Sequence, residues 1–142
     1  MAASSSMVAL GTRAPDFALP DTSGTMTGRD DFTAAPALLV AFLCNHCPYV
    51  RHLETALGTL LSHYADLAVV GICTNDADAY PEDRPRELAR QASRAGWGFP
   101  YLVDADQKVG PRLPRRLHAG LLPLRQRAPT GLSWRVRPVH AR

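Results

Sequence analysis

Cysteine is scarce in this chain of 142 residues, which holds three: Cys44, Cys47 and Cys73. An odd number cannot all pair within one chain. That argues against a structural disulfide framework and fits a reducing, cytoplasmic setting with a working dithiol. A second CxxC and an HxxxH are both missing, which argues against the four-ligand sites of structural zinc. No apolar run approaches the length of a membrane span. The first residues, an Ala/Ser stretch, lack a charged n-region and a long apolar core, so no secretory signal is read there. Met7 is a candidate start, and residues 1–7 are expected to form a disordered leader. There are no internal repeats, and the length suits one domain with a real core.

Acid is missing from one stretch only. Residues 1–109 carry 8 basic and all 13 acidic side chains, whereas residues 110–142 carry 8 basic and none acidic. Such a basic tail usually suggests nucleic acid or an anionic surface. Here Trp134 is its lone aromatic residue and no nucleic-acid motif accompanies it, so neither nucleic acid nor membrane is expected as a partner.

What is present reads as strands alternating with helices. Residues 11–24 hold prolines and alternating apolar residues, the pattern of an edge strand or extended arm. Residues 30–32 suit a helical turn. Residues 37–43 form an unbroken apolar run, as in a central strand buried on both faces. Pro48 then suits the first turn of a helix. Tyr49, Leu53, Leu57, Leu60, Leu61 and Tyr64 follow at helical spacing, predicting a helix over about 46–65. Residues 67–72 read as the next buried strand. Pro85 opens a second helix through about Ala95, closed by Gly96. Residues 99–103 suit a third strand, and 104–109 a further helical turn. This alternation implies βαβ units and a mainly parallel sheet, an α/β fold.

Cys44-Asn45-His46-Cys47-Pro48 lies where the first buried strand hands over to its helix. The spacing lets one thiol resolve a mixed disulfide formed at the other, the two-step chemistry of thiol–disulfide exchange. A helix N-terminus favours the thiolate. Cys44 is expected to be the exposed nucleophile and Cys47 the more buried resolving thiol. His46 and Pro48 shape the site, His46 by holding Cys44 toward thiolate. The alternative is a zinc or copper(I) module built from Cys44, Cys47 and His46 or His52. Cys73 is expected in the core, His52 and His63 on the helix surface. Asp76, Asp78, Glu82 and Asp83 are expected in a solvated loop, without a calcium-loop spacing.

Gly11-Thr12-x-Ala-Pro-Asp-Phe, Phe42-Leu43-Cys44-Asn45-His46-Cys47-Pro48-Tyr49-Val50, Asn75-Asp76 with Tyr80-Pro81-Glu82-Asp83, and Phe99-Pro100-Tyr101-Leu102 together resemble the redoxin (AhpC/TSA-type) branch of the thioredoxin-like superfamily. Within that branch, they are similar to the group with a Cys-Asn-His-Cys-Pro-Tyr-Val site. The resemblance covers about residues 8–109. It implies a thioredoxin-like fold and a dithiol oxidoreductase in which Cys44 and Cys47 are the redox pair. Electrons would come from an external thiol reductant, substrates would be thiol or disulfide compounds, and no metal or nucleotide cofactor is implied. Typical peroxiredoxins place Thr or Ser three residues before the peroxidatic Cys, with Pro four residues earlier. Counted from Cys44, those positions hold Ala41 and Ala37, which weakens a peroxidase or antioxidant reading.

The fold this resemblance implies needs a cis-proline loop, a β-hairpin and a last helix after residue 103. Residues 110–142 show no strand alternation and no sustained helical period. They are expected to be a disordered Arg/Pro/Leu-rich tail, leaving the domain of residues 8–109 without its C-terminal strands and helix. A shifted reading frame accounts for this. With suitable synonymous codons, residues 117–124 read one base later as Cys-Thr-Pro-Asp-Phe-Phe-Leu, a Thr-Pro followed by an apolar strand. One base added near codons 109 and 110 produces the present tail.

Overall fold

The computed structural model describes residues 15–110, 121–127 and 131–134. A small hairpin comes first, β1 (Ala18–Pro20) with β2 (Met26–Gly28). Asp21 closes its turn by accepting the N–H groups of Ser23 and Thr25 on one carboxylate oxygen. A 3-10 turn over Arg29–Phe32 follows.

The main sheet has five strands: β3 (Ala37–Phe42), β4 (Leu67–Cys73), β5 (Tyr101–Val103), β6 (Leu121–Arg127) and β7 (Gly131–Trp134), in the order β5-β4-β3-β6-β7. β3, β4 and β5 run parallel, and β6 and β7 are antiparallel additions. β3 is apolar at every position because it is central, and both its faces are covered. One face packs Leu38, Val40 and Phe42 with Val70, Ile72 and Leu102. The other packs Ala41, Leu43 and Cys73 with Leu88, Trp97 and Tyr101.

Two helices complete the described fold, α1 (Pro48–Ser62) and α2 (Pro85–Ala95). α2 ends as its sequence predicts, at Gly96 in the left-handed region with φ 68°. α1 and α2 approach closely at Gly58. A Cβ there would fall onto the Ala95 carbonyl oxygen and lie 3.0 Å from Trp97 Cδ1.

Two expectations need correction. The sheet does not lack its C-terminal strands: β6 pairs with β3 from Ala37↔Arg125 to Ala41↔Leu121, and β7 pairs with β6. Without β6, the outer edge of β3 would present unpaired backbone groups, and a backbone ladder can form on such an edge without a particular side-chain pattern. Pro123, opposite Leu39, has no N–H to give that ladder. Residues 104–109 form turns instead of a helical turn. The buried Asp104 carboxylate collects the N–H groups of Lys108, Val109 and Gly110, competing with helical bonds. The helix expected over about 46–65 runs over Pro48–Ser62. Val50 is buried, while Tyr49, Leu53, Leu60 and Tyr64 are exposed. The expected leader, proline loop and last helix lie outside the described residues.

Candidate active site

The CxxC loop sits at the C-terminal end of β3, where a parallel strand delivers its residues to the sheet's edge and a helix begins. Cys47 is the N-cap of α1 and Pro48 its first residue, as the missing N–H of proline suits. Arg51 N–H closes the first turn on the Cys47 carbonyl at 3.0 Å.

Burial of the two thiols runs opposite to the sequence expectation. Cys44 is 2% exposed, and Cys47 is half-buried. The reason is positional. Cys44 still belongs to the core that covers β3, whereas Cys47 stands at the mouth of the helix. Burial pushes the Cys44 thiol up to about 11, and the charges of Asp83 and Cys47 add to the shift. The Cys47 backbone N–H and the Asn75 side chain bond to Cys44 and oppose it. Cys73 lies in the core, as expected, with its thiol pushed up to about 12 by burial.

The His46 ring, which the sequence places beside Cys44, turns to Asp83. Its Nδ1 lies 2.6 Å from Asp83 Oδ2, and its ring stacks on Tyr80 with centroids 4.1 Å apart. Asp83 itself is 1% exposed, not part of a solvated loop. One of its oxygens accepts the backbone N–H groups of Asn45 (2.6 Å) and His46 (3.1 Å). The other accepts from Asn75 Nδ2 (2.9 Å) and faces the histidine. An Asp83 oxygen that already accepts from Asn75 pairs with His46 Nδ1 in the tautomer that places the ring hydrogen on Nδ1. Asp83 sits in a 3-10 turn over Pro81–Asp83, placed between β4 and α2.

α2 grips the loop from the other side. Gln91 is fully buried and donates to the Cys44 carbonyl at 3.3 Å and to Glu54 at 3.2 Å, while accepting from Tyr101. Arg94 reaches Glu54 through Nε at 2.7 Å and Asn45 Oδ1 through a terminal nitrogen at 2.7 Å. Glu54 is held below the usual carboxylate range, first by the Arg94 hydrogen bond.

Asn75, Asp83, Gln91 and Arg94 are therefore site residues that sequence reasoning did not find. The one available signal was the Asn75-Asp76 and Tyr80-Pro81-Glu82-Asp83 pair of segments. His52 on α1 and His63 at its C-cap are exposed, as expected, and His63 Nδ1 lies 2.7 Å from the Thr59 carbonyl. Cys44, one His46 ring nitrogen and one Asp83 oxygen lie within 4.8 Å of one another, a possible three-ligand metal site. Its members fit zinc chemically, but the Asp83 oxygens are already occupied by four donors.

The AhpC/TSA family model matches residues 10–126. A hypothetical protein from Sinorhizobium meliloti 1021 is 39% identical, with a TM-score of 0.80, over 84% of this chain and 67% of that one. An uncharacterized conserved protein from Geobacillus kaustophilus is 34% identical, with a TM-score of 0.78, over 84% of this chain and 65% of that one. The chain thus spans about two thirds of the length of these two proteins. A thioredoxin-like protein from Aeropyrum pernix shares the fold at 15% identity, with a TM-score of 0.64, over 78% of this chain and 74% of that one. Among curated proteins, none matches the sequence. A CxxC loop at the mouth of a parallel strand–helix unit, within a match that takes in most of the sequence, means that this chain has a thioredoxin-like fold and belongs to the AhpC/TSA family.

Proposed function

We propose that the chain is a thiol–disulfide oxidoreductase in which Cys47 attacks and Cys44 resolves. The carrying observation is the unequal burial of the two thiols. Cys47 stands half-buried at the helix mouth, where a disulfide substrate can reach it. Cys44 lies beneath it, protonated at neutral pH, and receives the Cys47 N–H. His46 and Pro48 shape the loop between the thiols and the helix. The electrons come from an external thiol system in the cytoplasm.

Peroxide reduction is not favoured by either numbering of the site. Three residues before Cys44 stands Ala41, and three before Cys47 stands Cys44, so a hydroxyl is absent from both positions. No helix among the described residues is long and apolar enough to cross a membrane.

Trapping of the mixed disulfide tests the reading. With a disulfide substrate, Cys44→Ser should accumulate a stable adduct at Cys47, and Cys47→Ser should accumulate none. The opposite pattern reverses the roles. Absence of any disulfide reduction, with stoichiometric binding of zinc or copper(I), favours the second reading, a thiol/metal-binding module on Cys44, His46 and Asp83.

A further inference from the structure

α1 turns Val50 and Gly58 to the protein and a stripe of large apolar side chains to water. Tyr49, Leu53 and Leu60 are 82%, 56% and 54% exposed, and Tyr64, just past the helix end, is 55% exposed. The Tyr64 N–H still bonds to the Leu61 carbonyl, so the last turn carries the stripe on. By the pitch of an α-helix, these four side chains fall within about 60° of arc, together with the exposed Ala56. The steps from Tyr49 to Leu53, Ala56 and Leu60 are four, three and four residues, the spacing of a seam between two packed helices.

No carboxylate, lysine or arginine stands on this face. The ionic side chains of the helix, Arg51 and Glu54, lie outside the arc, and Glu54 is engaged by Arg94. A solvated helix face is normally polar and charged, whereas the centre of a contact surface is depleted in charge and rich in aromatic residues.

The stripe is also symmetric in sequence. Tyr49 and Tyr64, and likewise Leu53 and Leu60, are equidistant from the midpoint between Ala56 and Leu57. Two such helices laid antiparallel about a twofold axis at that midpoint set Tyr49 against the partner's Tyr64 and Leu53 against the partner's Leu60, twice over. Shape agrees at the ends. Tyr49 projects furthest into water, and beside Tyr64 lies a hollow of about 690 Å³ lined in part by Ala37, His63, Asp66 and Leu67. An incoming tyrosine finds apolar walls there, with His63 and Asp66 as partners for its hydroxyl.

We propose that the α1 stripe is the contact surface of a homodimer, with a second copy of this chain docked antiparallel through the same residues. An aromatic side chain presents about 150–250 Å², so the four residues leave on the order of 500 Å² exposed in each copy. That matches the largest patch on a typical monomer, which is often functional. Pairing two copies removes on the order of 1,000 Å², the low end for specific interfaces, so the dimer is reversible, with a dissociation constant on the order of 10 μM. Both redox loops stay open in this arrangement. The two Cys47 N-caps lie at opposite ends of the paired helices, roughly 30 Å apart by the helical rise. The partner's Tyr64 borders each redox mouth, because Tyr49 follows Cys47 by two residues. The dimer does not depend on which thiol attacks first.

The test is sedimentation velocity on the reduced full chain, over a roughly hundredfold concentration range that spans this constant. The wild type should pass from monomer to dimer, and added salt should leave the dimer in place, because no charge pair holds it. Leu53→Glu alone and Leu60→Lys alone should each weaken dimerisation by more than about 10-fold. Their far-UV circular dichroism should match the wild type, since both residues are exposed. Mixed in equal amounts, the two variants should dimerise again. In that pair the two introduced charges meet with opposite sign, and one Leu53–Leu60 contact remains. A wild type that stays monomeric over the whole range overturns the proposal and leaves the face to a partner of another kind. A dimer that neither variant weakens overturns it too, as does one that salt dissolves, which would rest on the basic residues of 110–142. A mixture as monomeric as its components rules out the antiparallel register and the proposal with it.

Discussion

A carboxylate shut away from water must be met by donors, and at Asp83 those donors are the backbone of the redox loop itself. Its removal would therefore be felt at Asn45 and His46 before it reached the thiols. The thiols carry their own signature of burial. Cys44 is pushed up to about 11 and Cys73 to about 12, against an ordinary value of 9.0. Folding thus favours their protonated forms. This contribution to stability is fully present below pH 9 and is lost as pH rises toward about 11 and 12. Tyr101 is shifted in the same direction, so it deepens the loss. Denaturant titrations of the reduced chain at a series of pH values should show the midpoint falling through this window. A midpoint that stays level there would mean that both thiols are open to solvent. Alkylation should agree: near neutral pH, iodoacetamide labels Cys47 well ahead of Cys44 and Cys73, as peptide mass spectrometry would show. Equal labelling of Cys44 and Cys47 would contradict the burial order.

At the scale of elements, the helices meet where a side chain is missing. Gly58 lets α1 lie against the end of α2, with the Ala95 carbonyl and Trp97 in the space a Cβ would need. Gly58→Ala gains helix propensity but forces backbone against backbone. The expected net effect is a loss of about 1–3 kcal/mol in unfolding free energy, read from denaturant midpoints. A stabilised variant would mean that the helices sit further apart. Gln91 carries a second test of the same interface. It is fully buried with three partners, so Gln91→Leu leaves the Tyr101 hydroxyl and the Cys44 carbonyl without it. A loss of about 1–3 kcal/mol follows, and no loss would mean that water replaces the amide.

These elements also mark how far the sequence could be read. β3, α1 and α2 were legible because an apolar run, a proline at a helix start and a glycine at a helix end act locally. The Cys-x-x-Cys loop was legible for the same reason. Asp83 was not, because its meaning depends on a contact 37 residues away in sequence with His46. From the chain alone it looked like one more acid in an acidic turn. The order of burial of the two thiols was equally hidden. It depends on how far the core of β3 extends past Phe42, which periodicity does not report.

At the scale of the molecule, the charge asymmetry and the sheet point in different directions. The strands β6 and β7 complete a mixed sheet, and the family match runs to residue 126, past the start of the acid-free stretch. Yet β6 places Pro123 opposite Leu39 in a strand paired on both sides, where proline is normally excluded. The frame shift near codons 109 and 110 remains our proposal for this mixture. In the other frame, an Asp-Phe-Phe-Leu strand following Thr-Pro would occupy the same region, with an N–H at each position. Two measurements decide it. The coding sequence, read one base later, should contain the Cys-Thr-Pro-Asp-Phe-Phe string. A chain repaired to that frame should melt in one sharp transition at higher temperature and reduce disulfides faster than the present chain. If the other frame lacks the string, or the present chain already melts as cooperatively and turns over as fast, the tail belongs to the fold as it stands. Its basic residues would then need an explanation of their own.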